Sequence, residues 1–196
     1  MEGLFRRRTL PHWDAEGASF FVTCCLAGSF PARGLVARHQ SRPGGSHARG
    51  LETPGSRFAA CDRILDFQPA VRWFSDSRLA AVVQQSLLFG HGARYDLVAY
   101  VVMPSHVHWV FTPLVADHAG KAWTRSAILA SFKRHTARIC NGMLERSGAF
   151  WQAESYDRVI RGEGERERII TYVEHNPVRA GLCDRPSQWR FSSAYE

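Results

Sequence analysis

Apolar residues recur along this chain with two different periods, which predicts strands and helices in one polypeptide. Segments rich in Val, Phe, Tyr and Trp predict strands over 19–26, 95–103 and 156–161, with a further strand after Pro104-Ser105. Apolar residues at helical spacing predict helices over 76–90, 124–144 and 163–175. This order predicts an α+β fold, a small antiparallel sheet with helices packed on it.

Residues 38–60 interrupt this pattern. Gly, Pro, Ser and Arg dominate the segment, so it cannot bury enough apolar surface to offset its ordering entropy. We expect a single domain over residues 1–196 that carries a flexible Gly/Pro/Arg-rich insertion at about 38–60.

The most apolar stretch, residues 97–113, contains two histidines one residue apart. In its second half, period-two alternation puts Val107, Trp109 and Phe111 on one strand face and His106 and His108 on the other. A His-x-His pair on a strand can offer two nitrogen ligands to one metal ion. Satisfied core histidines give the same pattern, so spacing alone leaves both interpretations open.

Charge and cysteine content narrow the function classes. The 196 residues carry a formal charge of +7 and a pI near 9.6, which favours a polyanionic partner, either nucleic acid or an anionic membrane surface. Five cysteines without a Cys-x-x-Cys motif predict a reducing, cytoplasmic environment. No apolar run reaches the roughly 18 residues of a membrane span. The cationic candidates for DNA contact are Arg6, Arg7, Arg8, Lys133, Arg134, Arg138, Arg158 and Arg161.

The last predicted helix carries Tyr172 and Asn176 four residues apart, on one side at the edge of the apolar stripe of Ile169, Ile170 and Val173. Pro177 is expected to stop the helix. On spacing alone, a tyrosine one turn from a carboxamide is structurally commonplace.

Several motifs in order resemble those of the REP-associated tyrosine transposases, which are single-tyrosine HUH transposases related to relaxase-like nucleases. The resemblance covers nearly all of the chain except about residues 38–60, and this sequence departs from it at Ser105 for Asn and Phe191 for Trp. The matching motifs are Arg8-Thr-Leu-Pro-His-Trp13, Phe21-Val-Thr, Met103-Pro-Ser-His-Val-His108, Gly148-Ala-Phe-Trp-Gln152, Tyr156-Asp-Arg158, Tyr172-Val-Glu-His-Asn-Pro-Val-Arg-Ala-Gly-Leu182 and Phe191-Ser-Ser-Ala194.

The resemblance implies a ferredoxin-like or RRM-like HUH endonuclease core. It implies that His106, His108 and Asn176 bind a divalent metal, Mg²⁺ or Mn²⁺, and that Tyr172 is the nucleophile. The implied enzyme cuts and rejoins single-stranded DNA at hairpin repeats through a covalent 5′-phosphotyrosine intermediate, as in transposition. It is expected in the bacterial cytoplasm, associated with the nucleoid, as a monomer or homodimer.

Two alternatives remain at this point. One is a domesticated protein that binds DNA hairpins without cleaving them. The other is a metal-dependent hydrolase that uses water and does not need Tyr172.

Overall fold

The computed structural model describes residues 17–29, 65–66, 69–114 and 123–196, and the backbone alone of 5–7 and 11–13. The insertion predicted at 38–60 lies outside the described residues. In the described part, no helix is both long enough and apolar enough to cross a membrane.

Two antiparallel sheets are described. The first is a hairpin of β1 (Phe5–Arg7) and β2 (Pro11–Trp13). The second has four strands in the order β4-β5-β3-β6, and each neighbouring pair is antiparallel. Its strands are β3 (Phe20–Cys25), β4 (Tyr95–Val102), β5 (His106–Pro113) and β6 (Tyr156–Val159).

Four α-helices have their full bounds within the described ranges: α1 (Ser77–Gly90), α2 (Arg125–Met143), α3 (Glu163–Glu174) and α4 (Asn176–Arg179). Side-chain caps fix two of the starts. Asp76 accepts a hydrogen bond from the Arg78 amide at 2.9 Å, and Thr124 accepts one from the Ala127 amide at 3.2 Å. The prediction of an antiparallel α+β domain is confirmed.

The alternation of side chains divides the main sheet into two faces. Val107, Trp109 and Phe111 lie in an aromatic core with α1 and α2. His106 and His108 point to the opposite face, where α3 packs against β4 and β5. We call these the core face and the site face.

A buried ion pair ties α2 to the edge of the sheet. Arg125 at the start of α2 and Asp157 on β6 have side chains only 3% and 5% exposed, and Arg125 also lies 5.7 Å from the Phe20 ring. Residues 191–193 run alongside β4 and hydrogen-bond to it. Both outer strands of the sheet are therefore held by another part of the chain.

Candidate active site

The histidine pair sits at the start of β5, directly after a tight turn. The turn is closed by a hydrogen bond from the Met103 amide to the His106 carbonyl at 2.9 Å, as expected where Pro104-Ser105 interrupts the apolar run. Both imidazoles are fully buried, and their Nε2 atoms are 3.0 Å apart. Buried ring nitrogens need polar partners, and here they converge on one another.

Ser105 determines the tautomer of His106. Its hydroxyl donates to the Leu65 carbonyl at 3.1 Å, since a carbonyl can only accept. The same hydroxyl lies 2.9 Å from His106 Nδ1, so at this second contact the oxygen accepts and Nδ1–H donates. Neutral His106 therefore presents an unprotonated Nε2 towards His108. Ser105 was noted in the sequence only as a departure from the motif.

Thr23 is the corresponding partner of His108, and sequence reasoning missed it. The two residues are paired across β3 and β5, and Thr23 Oγ1 lies 2.8 Å from His108 Nδ1. A threonine hydroxyl rotates freely, so it can donate to this nitrogen or accept from it. His108 can thus carry its proton on Nε2, donating to His106, or on Nδ1.

The pair fits a divalent metal ion in its donor chemistry and spacing. When two nitrogens each lie about 2.1 Å from one ion and the N–metal–N angle is a right angle, the nitrogens are about 3.0 Å apart. The two Nε2 atoms have this separation. The Thr23 and Ser105 hydroxyls hydrogen-bond the two Nδ1 atoms, as do the outer partners that orient metal-ligating histidines in other proteins. In the described part of the chain, no group of three or more His, Cys, Asp and Glu residues is arranged to hold a metal. The candidate set instead combines the pair with the amide of Asn176.

Tyr172 lies on α3, and Asn176 begins the helix that follows it, α4. The predicted helix over 163–175 ends at Glu174, and a new short helix starts at Asn176 with Pro177 in its first turn. Asn176 is fully buried, whereas Tyr172 is half-buried. The Tyr172 ring lies 5.8 Å from the His108 ring and 6.0 Å, edge to face, from Phe21. The structure thus places a phenol next to the histidine pair.

Three other tyrosines, Tyr95, Tyr100 and Tyr156, are less suited to attack a substrate. Tyr95 and Tyr100 lie in the core-face cluster; the Tyr95 hydroxyl donates to the Leu87 carbonyl at 2.7 Å, and Tyr100 accepts from Gln84 at 2.9 Å. Burial raises the pKa of Tyr95. Tyr156 does lie on the site face, 6.3 Å from Phe21, but burial raises its pKa as well.

The cationic candidates divide between the two faces. Lys133 on α2 donates to the Gln152 carbonyl at 2.8 Å, and Arg134 and Arg138 are exposed on the same core-face helix. The structure does not bring these three next to Tyr172. Arg158 faces the site side, paired across strands with Phe21, and forms an ion pair with Glu165. Arg161 is exposed just before α3. The side chains of Arg6 and Arg7, and all of Arg8, lie outside the described residues.

The fold and the site together define a class: an antiparallel α+β domain with a histidine pair on a central strand and a tyrosine on a helix beside it. The solved structure of a REP-associated tyrosine transposase bound to a REP hairpin matches this fold with a TM-score of 0.59 and 15% identity. The match covers 95% of this chain and 82% of that one. No family model matches the chain.

Curated relatives agree with the structural match. The REP-associated tyrosine transposase of Escherichia coli is 26% identical over 100 residues, which are 50% of this chain and 54% of that protein. A Haemophilus influenzae protein that also carries the REP-associated tyrosine transposase name is 23% identical over 104 residues, 50% of this chain and 58% of that protein. The chain spans just over half the length of these relatives. They support the resemblance predicted from the motifs.

Proposed function

We propose that this chain is a metal-dependent single-stranded DNA endonuclease and strand transferase, a transposase-like enzyme that acts at hairpin repeats. The observation that carries the proposal is the Tyr172 phenol beside the buried His106–His108 pair. Similarity to proteins named REP-associated tyrosine transposases, and to one solved with a REP hairpin, supports hairpin DNA as the substrate. The formal charge of +7 agrees with a polyanionic partner.

The proposed reaction is a transesterification at phosphorus. The Tyr172 Oη–P bond forms while the P–O3′ bond breaks, and the electron pair of the broken bond stays on O3′. The phenol loses a proton and O3′ gains one, so that a 5′-phosphotyrosine and a free 3′ hydroxyl result. Because the phosphotyrosine retains an ester bond, a 3′ hydroxyl can attack it later and join strands without a nucleotide cofactor.

His106, His108 and Asn176 would hold the divalent ion. Mg²⁺ or Mn²⁺ bound there supplies positive charge that favours the phenolate and withdraws charge from the scissile phosphate. Imidazole ligands suit a transition metal, while an amide oxygen and a phosphate also suit Mg²⁺. We therefore expect both ions to support activity and Mn²⁺ to bind more tightly. Ser105 and Thr23 keep the two rings aimed at one point.

The DNA is proposed to cross the site face. Arg158 and Arg161 lie on that side and are the better candidates for phosphates that flank the cleaved bond. Lys133, Arg134 and Arg138 would contact a hairpin only where it wraps onto α2. We propose that the protein works in the bacterial cytoplasm at the nucleoid, as a monomer or homodimer.

The test is covalent capture. Wild type, Tyr172→Phe and the matched control Tyr156→Phe are incubated with Mn²⁺ and a hairpin oligonucleotide with a labelled single-stranded flank. An adduct that survives denaturation is expected with wild type and with Tyr156→Phe. It should be absent with Tyr172→Phe and in EDTA.

Other outcomes separate the alternatives. If the wild type and both variants bind the hairpin but none forms an adduct, the proposed enzymatic activity is refuted. The protein would then be a DNA-binding protein that does not cleave. Strand cleavage that persists in Tyr172→Phe would indicate a hydrolase that uses water. An adduct lost only in Tyr156→Phe would move the nucleophile to that residue.

A further inference from the structure

Arg179, the last residue of α4, lies beside the proposed nucleophile. Its guanidinium carbon is 4.7 Å from the centre of the Tyr172 ring. The side chain remains 41% exposed, so a ligand from solvent can reach it. Arg179 lies within the motif Tyr172–Leu182 that carries the resemblance, but no role was assigned to it from the sequence.

Stacking on an aromatic ring is not by itself distinctive in this protein. Arg146 lies 4.2 Å from the Trp73 ring and Arg190 lies 5.6 Å from the Phe191 ring. Such contacts are ordinary packing of an arginine against an aromatic face. Arg179 differs from these arginines because it also contacts a residue next to the histidine pair.

That second contact is the carboxylate of Asp66. Arg179 lies 3.6 Å from Asp66 Oδ2, and the Asp66 side chain is fully buried. The other carboxylate oxygen, Oδ1, is 3.9 Å from His106 Nε2. Asp66 therefore contacts both the histidine pair and the guanidinium, and it gives Arg179 an anionic partner next to the pair.

A phosphodiester attacked by Tyr172 must place its phosphorus within bonding distance of the phenol oxygen. The guanidinium next to that ring then lies within reach of the non-bridging oxygens. Guanidinium groups match phosphate oxygens with paired N–H donors, and they keep their charge at any working pH. A fixed positive charge beside oxygens that gain charge in the transition state accelerates phosphoryl transfer.

We infer that Arg179 binds the non-bridging oxygens of the scissile phosphodiester beside Tyr172. The inference rests on the proposed function. It gives the scissile phosphate a second source of positive charge besides the proposed divalent ion. Arg179 is thereby a catalytic residue that touches the substrate, whereas Asp66 is the ion-pair partner of its guanidinium.

The test measures single-turnover adduct formation by wild type, Arg179→Ala and the matched control Arg190→Ala, each with Mn²⁺. The cleaved linkage, mapped with wild type, is supplied either as the phosphodiester or as the methylphosphonate, in which a neutral methyl replaces one anionic oxygen. On the phosphodiester, Arg179→Ala should be at least about 100-fold slower than wild type. Arg190→Ala, which removes another ring-stacked arginine, should stay within about threefold.

The substrate ratio distinguishes charge neutralisation from a structural role. A neutral linkage does not need the guanidinium, so the rate on methylphosphonate divided by the rate on phosphodiester should rise at least about tenfold in Arg179→Ala over wild type. A general disturbance of the fold would slow both substrates equally. Arg179→Lys, which keeps the charge but loses the paired donors, should fall between wild type and Arg179→Ala.

The two possible failures are distinguishable. If wild type forms the adduct and the substrate ratio of Arg179→Ala equals that of wild type, the assignment of Arg179 is wrong and the proposed function stands. If wild type forms no adduct with either substrate, the proposed function is wrong and the role of Arg179 falls with it.

Discussion

Replacing Thr23 by Val should weaken metal binding without removing any proposed ligand. Thr23 is 2% exposed, and its hydroxyl is 2.8 Å from His108 Nδ1. Valine keeps the branched shape and its preference for a strand but has no hydroxyl. The variant therefore leaves the ring in place but removes the Thr23 hydroxyl from Nδ1.

The expected magnitude follows from the difference between two hydrogen bonds. Without metal, Ser105 fixes the His106 tautomer, so His108 donates through Nε2 and its Nδ1 accepts from Thr23 in a neutral bond worth about 0.5–1.5 kcal/mol. With metal bound, Nδ1–H donates from a ring polarised by the cation, and such charge-assisted bonds contribute about 1.5–3 kcal/mol. The variant loses both bonds, so its affinity falls by the difference of about 1–1.5 kcal/mol, roughly tenfold.

Titration calorimetry with MnCl₂ measures the dissociation constant directly, without activity. Thr112→Val is the matched control, because the Thr112 hydroxyl bonds Ser19 at 2.7 Å near the far end of the same strand pair. We expect an affinity about tenfold weaker for Thr23→Val and unchanged for Thr112→Val. A dissociation constant for Thr23→Val within twofold of wild type would refute the reasoning, even if the free energy of unfolding falls.

Two further predictions concern stability and are checked by denaturant unfolding. Asp157→Ala removes the carboxylate that pairs with the buried Arg125 guanidinium, so the free energy of unfolding should fall by about 3–5 kcal/mol. A loss below about 1 kcal/mol would contradict the burial of this ion pair. Gly90→Ala should lower the free energy of unfolding by about 1–3 kcal/mol, because a Cβ there would clash with the buried Tyr95 hydroxyl. Its control, Gly142→Ala in an open part of α2, should instead gain about 0.5–1 kcal/mol, and equal effects at both glycines would refute the steric argument.

Patterns local in sequence predicted most of the fold. The faces of β5 follow from period-two alternation, which any strand must obey, and the capped helix starts follow from Asp76 and Thr124. Errors fall at helix ends. The helix predicted over 124–144 ends at Met143, and this apolar residue is 40% exposed because it lies in the last turn of α2, beyond the buried positions Phe132 and Cys140.

The partners of the site residues could not be predicted in the same way. Thr23 and His108 are 85 positions apart, and only the register of β3 against β5 brings them together. Asp66 and Arg179 meet only after both segments pack near the turn before β5. The motif resemblance gave His106 and Tyr172 their expected roles, and neither periodicity nor spacing could have assigned them.

The division of the sheet into two faces explains how this chain accommodates a buried polar site. Burying two imidazoles contributes little to stability and requires hydrogen bonds on every ring nitrogen. The opposite face carries the larger apolar cluster, in which the Trp109 ring lies 4.4 Å from the Phe111 ring and 5.1 Å from the Phe132 ring. Consequently His108 lies on the site face and Trp109 on the core face, although the two residues are adjacent in sequence. Loss of the indole should lower the free energy of unfolding, whereas loss of the imidazole should weaken the proposed metal binding, because the strand directs neighbouring side chains to opposite sides.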